Sequence, residues 1–152
     1  MHKPNITLAC VVHCQGKFLF VEEWDNGVLT LNQPAGHLEK DESLLAGMQR
    51  ELWEETGIEH AQIERLVKIY QWSAPRSKTD FLRFTFALEL DDCCAVTPHD
   101  SDITQALWLT LAQFQDYIRQ PGQGARSPLV LESIHDYLQA KTVPIDILKV
   151  FE

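Results

Sequence analysis

The stretch Gly36-His-Leu-Glu-Lys-Asp-Glu-Ser-Leu-Leu-Ala-Gly-Met-Gln-Arg-Glu-Leu-Trp-Glu-Glu-Thr-Gly-Ile58 sets three of its glutamates at helical spacing. Glu51, Glu54 and Glu55 follow one another at i, i+3 and i+4, so a helix brings their side chains to one face. Like charges this close destabilise a helix by about 0.2–0.5 kcal/mol per pair. Hard divalent metals such as Mg²⁺ take carboxylate oxygens, waters and phosphate oxygens as ligands. The spacing therefore indicates a helix that binds a divalent metal, although such a triplet alone is more often a solvated helix face.

The whole stretch resembles the Nudix box, G-x5-E-x7-R-E-U-x-E-E-x-G-U with U aliphatic, at every specified position. The matching residues are Gly36, Glu42, Arg50, Glu51, Leu52, Glu54, Glu55, Gly57 and Ile58. This resemblance to the Nudix hydrolases implies an α/β fold, an α/β/α sandwich with a mixed β-sheet between helices. It also implies an Mg²⁺-dependent enzyme that cleaves a phosphoanhydride bond by attack of a water molecule activated by the metal.

The resemblance carries metal-binding roles onto four residues. Glu54 and Glu55 are the implied direct ligands, and the carbonyl of Gly36 completes the set. Glu51 is implied either as a further ligand or as the general base that takes the proton of the water. Mg²⁺ is the expected ion, with Mn²⁺ as the alternative.

Two further positions belong to the implied reaction. Arg50 is expected on another side of the helix, where it orients a carboxylate, with Glu42 as its partner; a solvated arginine is the alternative. Asp102 lies in a predicted loop where many family members carry an acid that faces the metals and serves as a base. His99 and Asp100 are also within reach of phosphate or metal, and ordinary turn roles are the alternative for all three.

Aromatic and polar residues outside the box are candidates for binding the substrate. Trp24 and Trp72 stand at the ends of predicted strands and are candidates for stacking on a ring, with edge packing as the alternative. Asn32, Gln33 and Arg83 are candidate polar contacts. The charge of Arg83 within a strand points either to solvent or to a phosphate.

The resemblance extends beyond the box to a group of bacterial phosphatases within the family. It is carried by residues 71–75, 81–84, 98–103 and 126–130. These enzymes are associated with hydroxymethylpyrimidine pyrophosphate, thiamine diphosphate, and nucleoside di- and triphosphates. The alternatives are a Nudix hydrolase acting on another nucleoside diphosphate derivative such as ADP-ribose, and a non-catalytic nucleotide-sensing Nudix domain. The three helical glutamates favour the enzyme, because a Nudix domain that has lost catalysis is expected to have lost at least one of these residues.

Length and charge limit the possible partners. A chain of 152 residues fits a single domain, here 1–152. The formal charge of −9 argues against nucleic acid polymers and anionic membranes as partners. No stretch approaches the roughly 20 apolar residues of a membrane span, and no signal peptide is recognisable. The expected partner is a small diphosphate, the expected location is cytoplasmic, and both monomer and homodimer remain open.

The four cysteines fit no structural zinc site, because neither Cys-x3-Cys nor a vicinal pair has the required spacing. Cys10 and Cys14 fall on the same side of an alternating strand, while Cys93 and Cys94 are adjacent. Buried free thiols are the prediction, in agreement with a reducing cytoplasm.

Hydrophobic periodicity and turn residues predict a mixed α/β chain. Strands are predicted over residues 6–13, 17–23, 28–32, 63–72, 81–90 and 107–109. Helices are predicted from the cap at Asp41 or Ser43 to Thr56, with Gly57 as left-handed C-terminal residue, and over 111–117 and 128–141. Residues 33–36 are predicted as a loop and 121–124 as a break. The inward positions are Leu45, Met48 and Leu52 on the first helix and Leu131, Ile134 and Leu138 on the last.

Overall fold

Nine β-strands form one mixed sheet in the computed structural model, which describes residues 1–152. The strands are β1 (Asn5–Cys14), β2 (Lys17–Asp25), β3 (Val28–Asn32), β4 (Ala35–His37), β5 (Arg65–Ser73), β6 (Asp80–Glu89), β7 (Gln105–Leu109), β8 (Gln123–Ala125) and β9 (Val143–Pro144). The helices are α1 (Leu44–Thr56), α2 (Leu111–Ile118) and α3 (Leu129–Leu138), followed by a 3₁₀ turn at Ile145–Ile147. None of these helices combines the length and the apolar character needed to cross a membrane.

The strands follow the order β8-β3-β2-β1-β6-β5-β9, while β4 pairs with β1 and β7 pairs with β2. The β1–β6 and β3–β8 pairs are parallel, and the other pairs are antiparallel. β1 meets β2 only at His13 and Cys14, whereas its other end pairs with β4. The two halves of the sheet therefore separate towards the beginning of β1, and a cleft lies there.

The central strand β1 is buried on both faces, as its continuous apolar run requires. On one face, Leu8, Cys10 and Val12 belong to the same core cluster as two residues of α1, Met48 and Leu52. On the other face, Val11 belongs to a cluster with Phe114 of α2 and with Val130 and Ile134 of α3. Helices thus cover both faces of a mixed sheet, and the predicted α/β/α sandwich is confirmed.

Helix α1 has the caps that the sequence predicts. The Oγ of Ser43 accepts a hydrogen bond from the N–H of Ala46 at 3.0 Å, so Ser43 rather than Asp41 is the N-cap. Gly57 has φ of 77°, the left-handed conformation that glycine adopts without steric cost. These caps fix where the helix begins and ends, and therefore how its glutamates face the sheet.

Three predictions of local structure are wrong. Residues predicted as a loop include β4, whose Gly36 pairs with Leu8 of β1. The predicted break at 121–124 contains the beginning of β8, which pairs with β3. Helix α3 ends at Leu138, whose side chain is 54% exposed instead of inward. The two short strands exist because distant segments pair with them, which local residue preferences do not reveal.

The prediction of free thiols is wrong for Cys14, which forms a disulfide bond with Cys93. β1 and β6 run in parallel and end side by side, with His13 opposite Glu89, so the chain leaving β6 passes Cys14. Cys10 is buried and free, as predicted, and burial raises the pKa of its thiol. The cysteines therefore give no argument for a reducing compartment.

Candidate active site

Two glutamates of α1 are buried against β4, at one end of the cleft. Glu51 and Glu55 are only 8% and 7% exposed. The N–H of Ala35 donates to Oε1 of Glu55 at 2.8 Å. A Cβ atom at Gly36 would lie 2.0 Å from Oε1 of Glu51, so no larger residue fits there without displacing that carboxylate. Gly36 is thus required by a close approach of strand and helix.

Arg50 holds Glu42 through two hydrogen bonds. Its Nε donates to Oε2 at 3.0 Å and its Nη2 to Oε1 at 2.8 Å, and Nη2 also donates to the carbonyl of His37 at 3.0 Å. The pair is bidentate, which fixes the guanidinium plane, and the hydrogen bonds from Arg50 lower the pKa of Glu42. A Cβ at Gly47 would meet Oε1 of Glu42 at 2.7 Å, so this glycine lets the carboxylate approach the helix. The predicted contact between Arg50 and Glu42 is present.

The expectation that Arg50 lies on another side of the helix from the glutamates is wrong. Its Nη1 donates to Oε1 of Glu51 at 2.7 Å and to Oε2 of Glu54 at 3.3 Å. The long side chain reaches back along the helix surface, where residues four apart are neighbours. No three His, Cys, Asp or Glu side chains meet as a metal-ligand cluster in this arrangement. The guanidinium is the cation that these two carboxylates contact.

Glu55 has no such compensation. Burial raises its pKa to about 9, one backbone hydrogen bond from Ala35 opposes this, and the charges of Glu51, Glu23 and Asp100 raise it further. Burial also raises the pKa of Glu51, while Arg50 lowers it. A buried carboxylate with one donor and several like charges favours a cation beside it. Carboxylates next to a backbone carbonyl are the oxygen ligands that hard divalent metals prefer, so these residues fit such an ion.

The loop after β6 docks on the C-terminal turn of α1. The N–H groups of His99 and Asp100 both donate to the carbonyl of Glu54 at 2.8 Å. The ring of His99 stacks on Trp53, with centroids 4.3 Å apart and planes 15° from parallel. Trp53 is 42% exposed, so its packing role is to hold this loop rather than to fill a core.

The same loop brings one of its two aspartates close to the buried glutamates. The charge of Asp100 is among the main causes that raise the pKa of both Glu55 and Glu23, whereas Asp102 is among them only for Glu23. Asp102 is exposed, and its N–H donates to Oδ1 of Asp100 at 2.9 Å. The structure therefore brings Asp100 into the electrostatic neighbourhood of Glu55, while the sequence singled out Asp102. Glu23 was not identified from the sequence at all.

The cleft next to the acids has a volume of about 810 Å³. Its acidic end, on α1 and β2, includes Glu55 and Glu23, next to Gly36; its other end, on β5 and β6, includes Trp72 and Arg83, whose pKa burial lowers and the charge of Glu55 still raises. The further lining residues used below are Asn32, Phe81 and Arg126. The two ends together suit an elongated ligand with a charged and a flat part.

Of the two candidate tryptophans, only Trp72 lines the cleft. Its ring is roughly parallel to that of Phe81, with centroids 6.0 Å apart and an interplanar angle of 19°. Trp24 is 63% exposed and does not line the cleft. Side chains alternate along β2, so Glu23 and Asp25 face the cleft and Trp24 faces away. The prediction that Trp24 binds substrate is corrected for this reason.

Arg83 is buried and does not point to bulk solvent. Its Nη2 donates to Oδ1 of Asn32 at 3.2 Å and to Oε1 of Gln33 at 3.1 Å, while its Nε has no partner. Burial lowers the pKa of this guanidinium to about 10. The structure thus brings three of the predicted polar residues together at the cleft.

Arg126 was missed by the sequence analysis. Its Nη1 lies 3.2 Å from Oε1 of Glu23, and its Nε lies 3.6 Å from Oδ2 of Asp25. The two acids stand on β2, about a hundred positions earlier in the chain, and no local pattern links them to Arg126. It supplies positive charge at the rim of the cleft.

Comparisons with known proteins establish the family of this chain. The NUDIX domain family matches residues 1–130. Phosphatase NudJ of Escherichia coli K12 is 49% identical over 148 residues, which cover 97% of this chain and 92% of NudJ, and NudJ of Shigella flexneri matches equally. A NUDIX hydrolase from Nitrosomonas europaea superposes with a TM-score of 0.85 at 38% identity, over 98% of both chains. The NUDIX domain of Shewanella oneidensis NrtR, in a complex with ADP ribose, is 17% identical with a TM-score of 0.70 and shares the fold. The chain therefore belongs to the Nudix hydrolase family.

Proposed function

We propose that this enzyme is a pyrophosphohydrolase that cleaves a phosphoanhydride bond in a small organic diphosphate or triphosphate. One observation carries the proposal. Two buried carboxylates, Glu51 and Glu55, meet Gly36 at one end of a cleft whose other end has an aromatic pair and a buried arginine. The acidic end suits the chemistry of a divalent metal, and the other end suits a flat ring.

The carboxylates of Glu51, Glu54 and Glu55, with the carbonyl of Gly36, would hold the metal, for which Mg²⁺ is the proposed ion and Mn²⁺ the alternative. When bound, a divalent ion neutralises charge on phosphoryl oxygens and makes water a better nucleophile near neutral pH.

Arg50 keeps this group of acids in position. Two of its nitrogens are fixed on Glu42 and on the carbonyl of His37, and only Nη1 contacts Glu51 and Glu54. A cation at the glutamates would therefore compete with Nη1 alone, while the arginine stays anchored and continues to orient the helix against β4.

Proton transfer from the attacking water needs a carboxylate at the acidic end. Glu51 is the first candidate, because it lies against Gly36 and is buried. The loop acids are the second, and Asp100 is preferred over Asp102 because it is less exposed and its charge is among the main causes that raise the pKa of Glu55.

The other end of the cleft would hold the organic part of the substrate. Trp72 and Phe81 offer a face for stacking, and Asn32 and Arg83 offer polar groups. Hydroxymethylpyrimidine pyrophosphate, thiamine diphosphate and nucleoside di- and triphosphates are the proposed substrates. Similarity to phosphatase NudJ supports removal of phosphate. The acid set that α1 retains favours turnover over a purely nucleotide-sensing role.

Three predictions from the sequence remain predictions. One domain over 1–152 is supported by the family match to residues 1–130 and by the pairing of β9 with β5. The charge of −9 supports a small-molecule partner instead of a nucleic acid polymer or a membrane. A cytoplasmic location and the choice between monomer and homodimer have no structural support.

A screen for the release of phosphate, pyrophosphate or monophosphate products, separated by chromatography, tests the proposal. Hydroxymethylpyrimidine pyrophosphate, thiamine diphosphate, nucleoside di- and triphosphates and ADP-ribose are incubated with the enzyme and Mg²⁺, then with EDTA. Metal-dependent release from at least one of the first three classes is expected. Release that persists in EDTA, or cleavage of ADP-ribose alone, would contradict it.

A further inference from the structure

We propose that hydrogen-bond donors of Asn32 and Arg83 on the floor of the cleft favour, among nucleoside diphosphates, those whose base has two neighbouring acceptors on one edge. The inference rests on the proposed function only in taking the cleft as the substrate site. It names the class of ring that the site accepts, with cytosine as an example.

The direction of the hydrogen bonds in the floor is set first by helix α3. The hydroxyl of Ser133 donates to the carbonyl of Val130 at 3.1 Å, so its oxygen is available as an acceptor. The amide nitrogen Nε2 of Gln33 donates to that oxygen at 2.9 Å and to the carbonyl of Val130 at 2.8 Å. Both amide protons of Gln33 are used, and the residue is 1% exposed. Its Oε1 must therefore point away from α3, towards Arg83.

The hydrogen bonds of Arg83 in turn fix the orientation of the side-chain amide of Asn32. A guanidinium has donors and no acceptor. Its Nη2 donates to Oε1 of Gln33 at 3.1 Å and to Oδ1 of Asn32 at 3.2 Å. The oxygen of Asn32 is therefore turned towards Arg83, and its amide nitrogen Nδ2 is turned the other way. Asn32 lines the cleft, so this nitrogen is free to donate to a ligand.

The donors lie beside the aromatic pair. Phe81 and Arg83 are two residues apart on β6, so they share a face about 7 Å apart along the strand. Trp72 is the register partner of Phe81 on β5. A heterocycle that stacks on these rings therefore has one edge directed at Arg83 and Asn32. Both hydrogen-bond partners of Arg83 are neutral amides, and its guanidinium has only donors to offer to that edge.

A comparison of cytosine with uracil tests whether the floor offers donors to the ring. Cytosine has acceptors at both O2 and N3, whereas uracil has a donor N–H at N3, which would face another donor. Sites that hydrogen-bond a ring edge reject the mismatched analogue because buried polar groups stay unpaired. We expect kcat/KM for cytidine diphosphate to exceed that for uridine diphosphate by at least about tenfold.

The decisive variant is Asn32→Asp, which has the same shape and replaces the free donor by an acceptor. The preference for cytidine diphosphate should vanish or reverse. Asn32→Leu, which removes the donor without adding charge, should also abolish the preference. Asn5→Asp is the matched control, since Asn5 is exposed and outside the cleft, and it should keep the wild-type ratio.

Binding of CMP and UMP to the full chain, measured by calorimetry, separates this inference from the proposed function. If no diphosphate is cleaved but CMP binds more tightly than UMP and Asn32→Asp removes the difference, the proposed function fails and the donor floor stands. If the wild type shows no preference for cytosine in either assay, the inference is overturned. It is also overturned if Asn32→Asp and Asn32→Leu lower both substrates by the same factor, because the floor would then contact phosphate.

Discussion

The two ends of the cleft are built in opposite ways. At the acidic end, most of the groups come from one continuous stretch, residues 36–58, with Glu23 and Asp100 nearby, and they are charged and incompletely paired. At the donor end, the groups come from β3, β6 and α3, and neutral amides fix the direction of each hydrogen bond. The acidic end suits the binding of a metal ion and the hydrolysis, and the donor end suits discrimination between the rings of different substrates. Substitutions at the acidic end should therefore lower kcat for every substrate, whereas those at the donor end should change the ratio between substrates.

Glu54→Gln should give the largest effect, a loss of kcat of about two to three orders of magnitude. Glu54 is half-buried and accepts only from Arg50, so the isosteric amide should leave the fold and the melting temperature nearly unchanged. Steady-state phosphate release measures it. Glu59→Gln, the same change just beyond the helix, is the control. Wild-type turnover in the Glu54 variant would remove that carboxylate from the metal site.

Asp100→Asn should lower kcat by about a hundredfold, as expected for a proton acceptor or a charge beside one. Asp102→Asn should have a smaller effect, since Asp102 is exposed and is not among the main charges that raise the pKa of Glu55. The two variants are compared by their kcat and KM values on one substrate. A larger loss for Asp102→Asn would restore the choice made from the sequence, and a rise in KM alone would indicate substrate positioning.

The residues of the acidic end could be predicted because helix periodicity is a local property. Spacing alone places Glu51, Glu54 and Glu55 on one face, and caps at Ser43 and Gly57 set the ends of the helix. The contact of Arg50 with two of those glutamates could not be predicted, since its long side chain can reach several faces of the helix.

The donor end and the disulfide could not be predicted, because they depend on contacts between distant segments. Gln33 reaches α3 about a hundred residues later, and Cys14 meets Cys93 only because β1 and β6 end side by side. Trp24 and Trp72 looked equivalent in the sequence. The phase of each strand relative to the cleft decides between them, and that phase is a property of the assembled sheet.

Trp53→Ala should lower kcat by about tenfold with little change in KM, because the stack that positions His99 and Asp100 is lost. Trp53→Phe keeps an aromatic face and should restore most of the activity. Hydrogen exchange of the amides of His99 and Asp100 should accelerate in Trp53→Ala, since both donate to the carbonyl of Glu54. Trp24→Ala, at an exposed tryptophan outside the cleft, serves as control. Equal exchange in all variants would show that the stack does not hold the loop.

The pH dependence of stability tests the acidic end without any measurement of turnover. In the metal-free protein, burial raises the pKa of Glu55 to about 9, above its unfolded value of about 4.3. The folded state then binds the proton more tightly, so this stabilisation is complete below the unfolded pKa and is lost as pH rises towards about 9. Melting temperatures of wild type and Glu55→Gln should diverge over that window, with the variant more stable at high pH. Parallel curves would show that Glu55 is already compensated.

The central claim is that the acidic flank of α1 binds a divalent ion that hydrolysis requires. The most direct test is calorimetric titration of the metal-free protein with Mg²⁺, for the wild type and for Glu55→Gln, at a pH where catalysis is measured. Saturable binding by the wild type and binding at least about tenfold weaker in the variant are predicted. Equal affinity in both proteins, or no binding in a wild type that still hydrolyses substrate, would contradict the account.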